Sequence, residues 1–424
     1  METNAIHPAK PARKPWRSLC VLCVLFCGNA TADEVATVPS PSHDLRPDTE
    51  LPIRNEKGQI QWQATLSAIF PKDTSTEPCE YTPLVSGRPR LRGVQLPARD
   101  CTEDDFKTLA EWGATLARYQ MTEWRGNLRE DGNPDGGYDL YDRWLAGKLD
   151  HLERDVLPWA RKYGIMVVVD LHRTPGDNRD RNKESAQYRD PRVRAKFIDT
   201  WRMIAERFRG NADVIYGYDL YNEPQQVTKV DYGYWEMQFE AAKAVREIDP
   251  ETPIIMEGNV SCDPQAYPYM KILPLKDVIY QVHMYMPGDF TCQGIGGVDK
   301  EGRRPPWPNP AHGWDKDCLR RLLQPVRDFQ LRHDARIYVG EFSATTWATG
   351  AEIYMKQLIE LMEEYGWDWT YHAFREHPCW DVEKEAPTKF SPWADFRDNP
   401  DTPRKRVLLD GFAGRLAPDN APSD

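Results

Sequence analysis

Eight near-continuous apolar runs, each followed by a segment of helical period or a gap long enough to hold one, predict an α/β fold, a (β/α)8 TIM barrel in a single domain. A doubly wound sheet is the alternative, but no Gly-rich phosphate turn follows the first run, so that fold lacks its usual mark.

The runs are LRGVQL (91–96), ATLARYQ (114–120), IMVVVDLH (165–172), DVIYGYDLYN (213–222), PIIMEG (253–258), DVIYQVHMY (277–285), RIYVGEF (336–342) and WDWTYHAF (367–374). Parallel strands joined by helices are covered on both faces, so they read as apolar throughout. Between them, 141–163 places Tyr141, Trp144, Leu145, Leu149, Leu152, Val156 and Trp159 on one helical stripe. Val193 to Phe208 and Lys356 to Tyr365 behave alike. In such a barrel the C-terminal ends of all eight strands open on one mouth, where chemistry is placed.

Ahead of the first strand, Lys10, Arg13, Lys14 and Arg17 precede the apolar run LCVLCVLFC and the small-residue stretch Ala30-Thr31-Ala32. This order predicts a secretory signal peptide, residues 1–32, too short to span a membrane as a helix. Residues 33–52 are rich in Pro and Ser and read as a flexible lead-in. The domain then runs over 53–416, with the barrel core at 91–416 and 53–90 expected to cap its N-terminal end; 417–424 reads as a disordered tail. The mature protein is expected to be secreted, to the periplasm or beyond the cell. Loss of residues 1–32 removes four bases and one acid, taking the net charge from −11 to −14. That balance repels nucleic acid and anionic membrane and suits a neutral substrate. Nothing in the sequence bears on oligomeric state.

Six cysteines survive that removal: Cys79, Cys101, Cys262, Cys292, Cys318 and Cys379. An even number in an exported chain favours disulfides. Cys292 and Cys318 both follow the sixth strand and are the expected pair, while Cys101 has Cys79 and Cys379 as candidate partners, leaving Cys262 over. No CxxC pair is present, and neither a metal nor a cofactor is expected.

The strand ends supply the functional reading. In order they present Arg118, then Asp170 and His172, then Asn222 and Glu223, Glu257 and Asn259, His283 and Tyr285, Glu341, and His372. Pro224 cannot donate to a ladder, so the fourth strand stops beside Asn222 and Glu223. Glu341 lies 118 residues further on, a distance that three βα units fill. Two carboxylates facing across one mouth are what glycoside hydrolysis requires, one to protonate the leaving oxygen and one to attack the anomeric carbon or activate water. Burial and mutual repulsion raise one pKa, and a nearby cation such as Arg118 lowers the other. Sugar faces are weakly apolar, and of the fifteen tryptophans Trp307, Trp314, Trp347 and Trp380 fall on predicted mouth loops, where indoles stack on such faces.

These motifs resemble glycoside hydrolase family 5, the cellulase family of retaining (β/α)8 glycosidases, over about Leu91 to Leu416. RGVQL resembles the family's first strand RGVNL, GATLARYQ its arginine segment with Arg118, and VVVDLHRTPG its DLHxxPG turn with His172. YDLYNEP resembles the NEP signature, VHMY the His-x-Tyr pair of His283 and Tyr285, and YVGEFS the nucleophile segment. The resemblance implies that Glu223 is the acid/base, Asn222 the contact to the sugar 2-hydroxyl and Glu341 the nucleophile. It departs at strand eight, where the family usually carries a tryptophan and WTYHAFREHPCW places His372, so either His372 or Trp380 lines the cleaved sugar's subsite. The expected substrate is a polysaccharide or oligosaccharide, and the expected enzyme an endo-β-1,4-glucanase. A β-mannanase or an exo-acting glucosidase of the same family is the alternative, and a non-catalytic glucan-binding barrel would be expected to lack one carboxylate. A metallohydrolase built on Asp170, His172, His283 and Glu341 fits poorly, because Asp170 and His172 lie two apart on one strand.

Overall fold

The computed structural model describes residues 51–79, 90–122, 138–176, 186–295, 302–386 and 396–417. The expected signal peptide, nearly all of the lead-in and the tail beyond residue 417 lie outside these. Strands β1 (Arg92–Gln95), β2 (Leu116–Gln120), β3 (Met166–Asp170), β4 (Ile215–Asp219), β5 (Ile254–Glu257), β6 (Val278–Met284), β7 (Arg336–Phe342) and β8 (Asp368–Tyr371) form a closed parallel barrel in sequence order. Closure is made by β8 on β1, with Arg92 opposite Trp369 and Val94 opposite Tyr371. Every strand read from the sequence is present.

Period-2 alternation divides each strand between the two sides of the barrel wall. Leu91, Leu116, Val168, Tyr216, Ile255, Ile279 and Tyr338 form one closed apolar layer inside the barrel. Their neighbours, among them Ala117, Val167, Val169, Ile254 and Val339, belong to the larger core between strands and helices. Two residues above the inner apolar layer stand Arg118, Asp170, Glu257 and Gln281. The interior is therefore apolar below and charged above, and the charged layer faces the mouth.

Around the strands lie α1 (Trp62–Ile69), α2 (Glu103–Trp112), α3 (Asp139–His151), α4 (Leu157–Tyr163), α5 (Pro191–Phe208), α6 (Tyr234–Ile248), α7 (Lys316–His333), α8 (Ala351–Tyr365) and α9 (Pro403–Phe412). The single helix expected over 141–163 is split into α3 and α4 by a π turn, Leu152–Val156. Pro158 explains the break, since it has no N–H for the i−4 carbonyl and its ring crowds that turn. Between β5 and β6 the chain forms only the short turn Asn259–Cys262, left-handed inside, and a 3-10 helix, Pro264–Tyr269, in place of a barrel helix. The segment expected to cap the N-terminal end runs from the barrel's flank to the C-terminal end of α7, where the Cys79 amide donates to His333 O at 2.7 Å. Leu66 of α1 packs with Val260, Ala266 and Tyr269, and the Asp73 amide donates to Pro268 O at 2.8 Å. This segment covers the flank that the missing helix leaves bare, because exposed Val260 and Ala266 would otherwise keep apolar surface in water.

The expected Cys292–Cys318 disulfide is absent. Cys318 is a buried thiol in the main core, whereas Cys292 packs in a separate cluster with Ile295, Cys379 and Trp380. Cys101 is likewise an unbridged thiol, with Sγ 3.6 Å from His151 Nε2, so neither candidate partner joins it. Sequence spacing places a cysteine in a segment, but a disulfide needs Cα atoms within about 7 Å and converging Cβ vectors. Among the described residues no helix is long and apolar enough to cross a membrane.

Candidate active site

Arg118 is the centre of the charged layer. It is wholly buried, and its five N–H groups all donate: Nε to Asp219 Oδ2 (3.0 Å), Nη1 to Gln95 Oε1 (2.7 Å) and Glu341 Oε1 (2.6 Å), and Nη2 to Asn222 Oδ1 (2.9 Å) and Glu257 Oε1 (3.1 Å), while Asp170 Oδ2 pairs with the charge 3.1 Å from Nη2. Burial opposes its charge, but Asp170, Asp219, Glu341 and Glu257 outweigh burial and hold it well above its ordinary pKa.

One cation cannot neutralise four carboxylates, and the carboxylates separate accordingly. Burial pushes Glu257 well up, with Asp219 adding to the push and Arg118 opposing it. Burial, reinforced by Asp170 against Arg118, pushes Asp219 up to about 6. Glu341 goes the other way. Its burial would raise it, but His283, His372, Arg118 and His172 together hold it well below the usual carboxylate range. Both its oxygens are fixed, Oε1 by Arg118 and Oε2 by the Tyr285 hydroxyl at 2.8 Å. Glu341 is thus a buried, ionised, oriented carboxylate.

Glu223 lies just past β4 in the left-handed region (φ 50°), and its amide donates to Glu257 Oε2 at 2.6 Å. Its Oε1 is 3.1 Å from His283 Nδ1. One oxygen of Glu223, one of Glu341 and a nitrogen of His283 lie within 4.8 Å of one another. His172 sets its own tautomer: Nδ1 lies 2.8 Å from the Asp170 carboxylate and so carries the proton, which leaves Nε2 to accept from Asn222 Nδ2 at 3.4 Å. Asn222 is thereby held between His172 and Arg118 beside Glu223.

His372, at the departure from the family pattern, is buried on the same mouth. Its ring stands edge-on to Tyr285 (6.1 Å) and 5.9 Å from Trp380. Burial opposes its charge, yet its pKa is raised, through the Glu376 hydrogen bond and then the Glu341 charge. Eleven residues singled out from the sequence therefore converge: Arg118, Asp170, His172, Asn222, Glu223, Glu257, His283, Tyr285, Glu341, His372 and Trp380. Trp347 stands further out, half-buried against Phe396, with Nε1 donating to Gln293 O at 3.0 Å. Trp307 and Trp314 are no sugar platforms, since both are buried, stacked on each other at 6.4 Å, with Trp307 also packed on Phe290 and Tyr354.

Comparison with known proteins decides the family. Residues 83–377 match the family described as Cellulase (glycosyl hydrolase family 5). The chain belongs to that family. This family 5 glycosidase is 27% identical over 307 residues to Endoglucanase C of Acetivibrio thermocellus, covering 64% of this chain and 83% of that one. It is 27% identical over 195 residues to Cellodextrinase A of Ruminococcus flavefaciens, covering 45% and 53% of the two chains. Among solved structures, Thermotoga maritima Cel5A in complex with cellobiose superposes with a TM-score of 0.55 at 19% identity, covering 76% of this chain and 97% of that one. Pseudomonas stutzeri endoglucanase Cel5A gives 0.55 at 21% identity, covering 79% and 97%. At these identities the structures establish the shared fold.

Asp219, Gln95 and Gln281 are site residues of the family 5 enzyme that the sequence reading passed over. A signal existed: β3, β4 and β5 each end in acid, as MVVVD, IYGYD and IIME, beside the one arginine of β2. Gly340, next to Glu341, is fixed by Gln281, whose Cδ would lie 2.5 Å from any Cβ placed there.

Proposed function

We propose that this glycosidase is an exported endo-β-1,4-glucanase that acts by double displacement with retention of configuration. The observation that carries this reading is the approach of Glu223 and Glu341 to within 4.8 Å between oxygens, closer than the 6.5–9.5 Å or so needed to seat an attacking water. Glu341, kept ionised and oriented by Arg118 and Tyr285, attacks the anomeric carbon. Glu223 donates its proton to the departing glycosidic oxygen, and then as carboxylate accepts a proton from the water that releases the glycosyl-enzyme. Asn222, fixed by Arg118 and His172, offers its amide to the 2-hydroxyl of the same sugar. His372 stands where the family usually carries tryptophan, with the buried Trp380 ring packed against it at 5.9 Å. The endoglucanase relative supports a β-1,4-glucan, and the basic, apolar and small-residue order of the first 32 residues supports export.

Product profiling on cello-, manno- and laminari-oligosaccharides tests the substrate, with internal cleavage of the cello series expected. Anomer analysis tests the mechanism. Glu223→Ala should still form a glycosyl-enzyme from a substrate with a good leaving group, and azide should release it as the β-glycosyl azide. Glu341→Ala with a β-glycosyl fluoride and azide should give the α-azide. Reversed products would exchange the two roles, and inversion by the wild-type enzyme would end the double-displacement reading.

A further inference from the structure

The end of β5 is bonded to the segment that carries Glu223 at every turn. Glu257 Oε2 accepts the Glu223 amide at 2.6 Å, Asn259 Oδ1 accepts the Gln226 amide at 2.7 Å, Asn259 Nδ2 donates to Gln226 O at 3.0 Å, and the Ser261 amide donates to Pro224 O at 3.2 Å. Val260, Ser261 and Cys262 all adopt left-handed backbone (φ 56°, 55° and 62°), at roughly 1–2 kcal/mol each for residues with a Cβ. That cost persists only where surrounding contacts impose it. Glu223, itself left-handed at φ 50°, is the residue those contacts surround.

Glu257 also reaches the Glu223 carboxyl by a second route. Its Oε1 touches Gln281 Nε2, which lies 3.1 Å from His283 Nε2, and His283 Nδ1 lies 3.1 Å from Glu223 Oε1. The Gln281 amide donates to His283 Nε2, so the imidazole carries its proton on Nδ1 and donates it to Glu223. Glu257 itself is immobilised from behind: its amide donates to Gln238 Oε1 (2.9 Å) and its carbonyl accepts from Gln238 Nε2 (3.0 Å).

We propose that Glu257 is a positioning residue for the acid/base, holding the Glu223 backbone directly and its carboxyl through Gln281 and His283. The proposal rests on the assignment of Glu223 as acid/base. A competing role for Glu257 is that of counterion to Arg118, 3.1 Å away, and two variants separate the roles. Glu257→Gln keeps the reach to the Glu223 amide and loses the charge. Its new NH2 group replaces the oxygen that accepts from Arg118 Nη2 and Gln281 Nε2; Gln281 meets it by an amide flip, which turns Oε1 onto His283 Nε2, so this variant keeps the backbone bond to Glu223 and gives up the route through His283. Glu257→Asp keeps the charge and is one methylene too short.

Both variants, with Glu223→Ala as reference, are compared on a cello-oligosaccharide, whose leaving group needs a proton, and on a dinitrophenyl β-cellobioside, whose leaving group does not. With the acid displaced by about 1 Å, Glu257→Asp should lose about 10²-fold in kcat/KM on the oligosaccharide and less than about tenfold on the aryl glycoside. Glu257→Gln should lose at least about tenfold less than Glu257→Asp on the oligosaccharide. The proposal is overturned if Glu257→Gln is the more damaged variant, or if Glu257→Asp loses activity equally on both substrates. If Glu223→Ala shows no preference for the good leaving group, the acid/base assignment itself is wrong, whatever Glu257 does.

Discussion

Replacing Asp219 by Asn should change how the stability of this fold depends on pH, by an amount its surroundings set. Asp219 is wholly buried, and burial, reinforced by Asp170 and opposed by Arg118, pushes its carboxyl from an ordinary 3.8 up to about 6. Between those values the folded chain keeps a proton that the unfolded chain releases. Stability therefore falls as pH rises through that window and stays lowered above it. Roughly two pH units at about 1.36 kcal/mol each amount to about 3 kcal/mol. Asn has the shape of the protonated acid and nothing to release, and its Oδ1 can still accept from Arg118 Nε, now 3.0 Å from Asp219. The stability of the variant minus that of the wild type should thus grow by about 3 kcal/mol between about pH 4 and pH 7, whatever its absolute value at either end. Glu257, raised by burial and then by Asp219, is relaxed in the variant, which adds in the same direction. Urea unfolding of both proteins at closely spaced pH values measures this directly. A difference that is flat or shrinks with pH would show that folding does not disfavour the Asp219 carboxylate, and the charge ranking around Arg118 would be wrong.

Three other perturbations test separate parts of the site. Tyr285→Phe removes the 2.8 Å bond to Glu341 Oε2 while Arg118 still holds Oε1; kcat should fall about 10- to 100-fold and the acidic limb of kcat/KM should move to higher pH, because the ionised form of Glu341 has lost a donor. An unmoved acidic limb would mean that Tyr285 does not support the carboxylate. Gly340→Ala puts a methyl group 2.5 Å from Gln281 Cδ, and should lower stability by about 1–3 kcal/mol and activity by more than about tenfold as the amide leaves His283; wild-type activity would show that Gln281 can move without consequence. Trp380→Ala empties a fully buried site and should destabilise by about 3–5 kcal/mol, whereas Trp347→Ala, half-buried, should leave the melting temperature nearly unchanged and raise KM for oligosaccharides; an unchanged KM would remove Trp347 from the substrate path.

The sequence by itself determined the barrel and most of its mouth. Eight apolar runs with helices between them admit few burial schemes, and period-2 alternation puts the last polar residues of each strand on one rim. Arg118, Asn222, Glu223, His283, Tyr285, Glu341 and His372 were legible for that reason, since strand position alone aims them. The tertiary structure decided what depends on separation in space. Cys292 and Cys318 share a segment but pack in different clusters, and Trp307 and Trp314 sit on a loop that folds inward on Phe290 and Tyr354. Residues 62–73 took their place from the missing helix between β5 and β6, a vacancy that no local pattern in 53–79 records. The division of charge among Asp219, Glu257 and Glu341 was settled last. Each is a carboxylate at the end of an apolar strand, identical in sequence terms, and only the distances to one buried guanidinium and three imidazoles make one of them the ionised partner and push the other two toward their protonated forms.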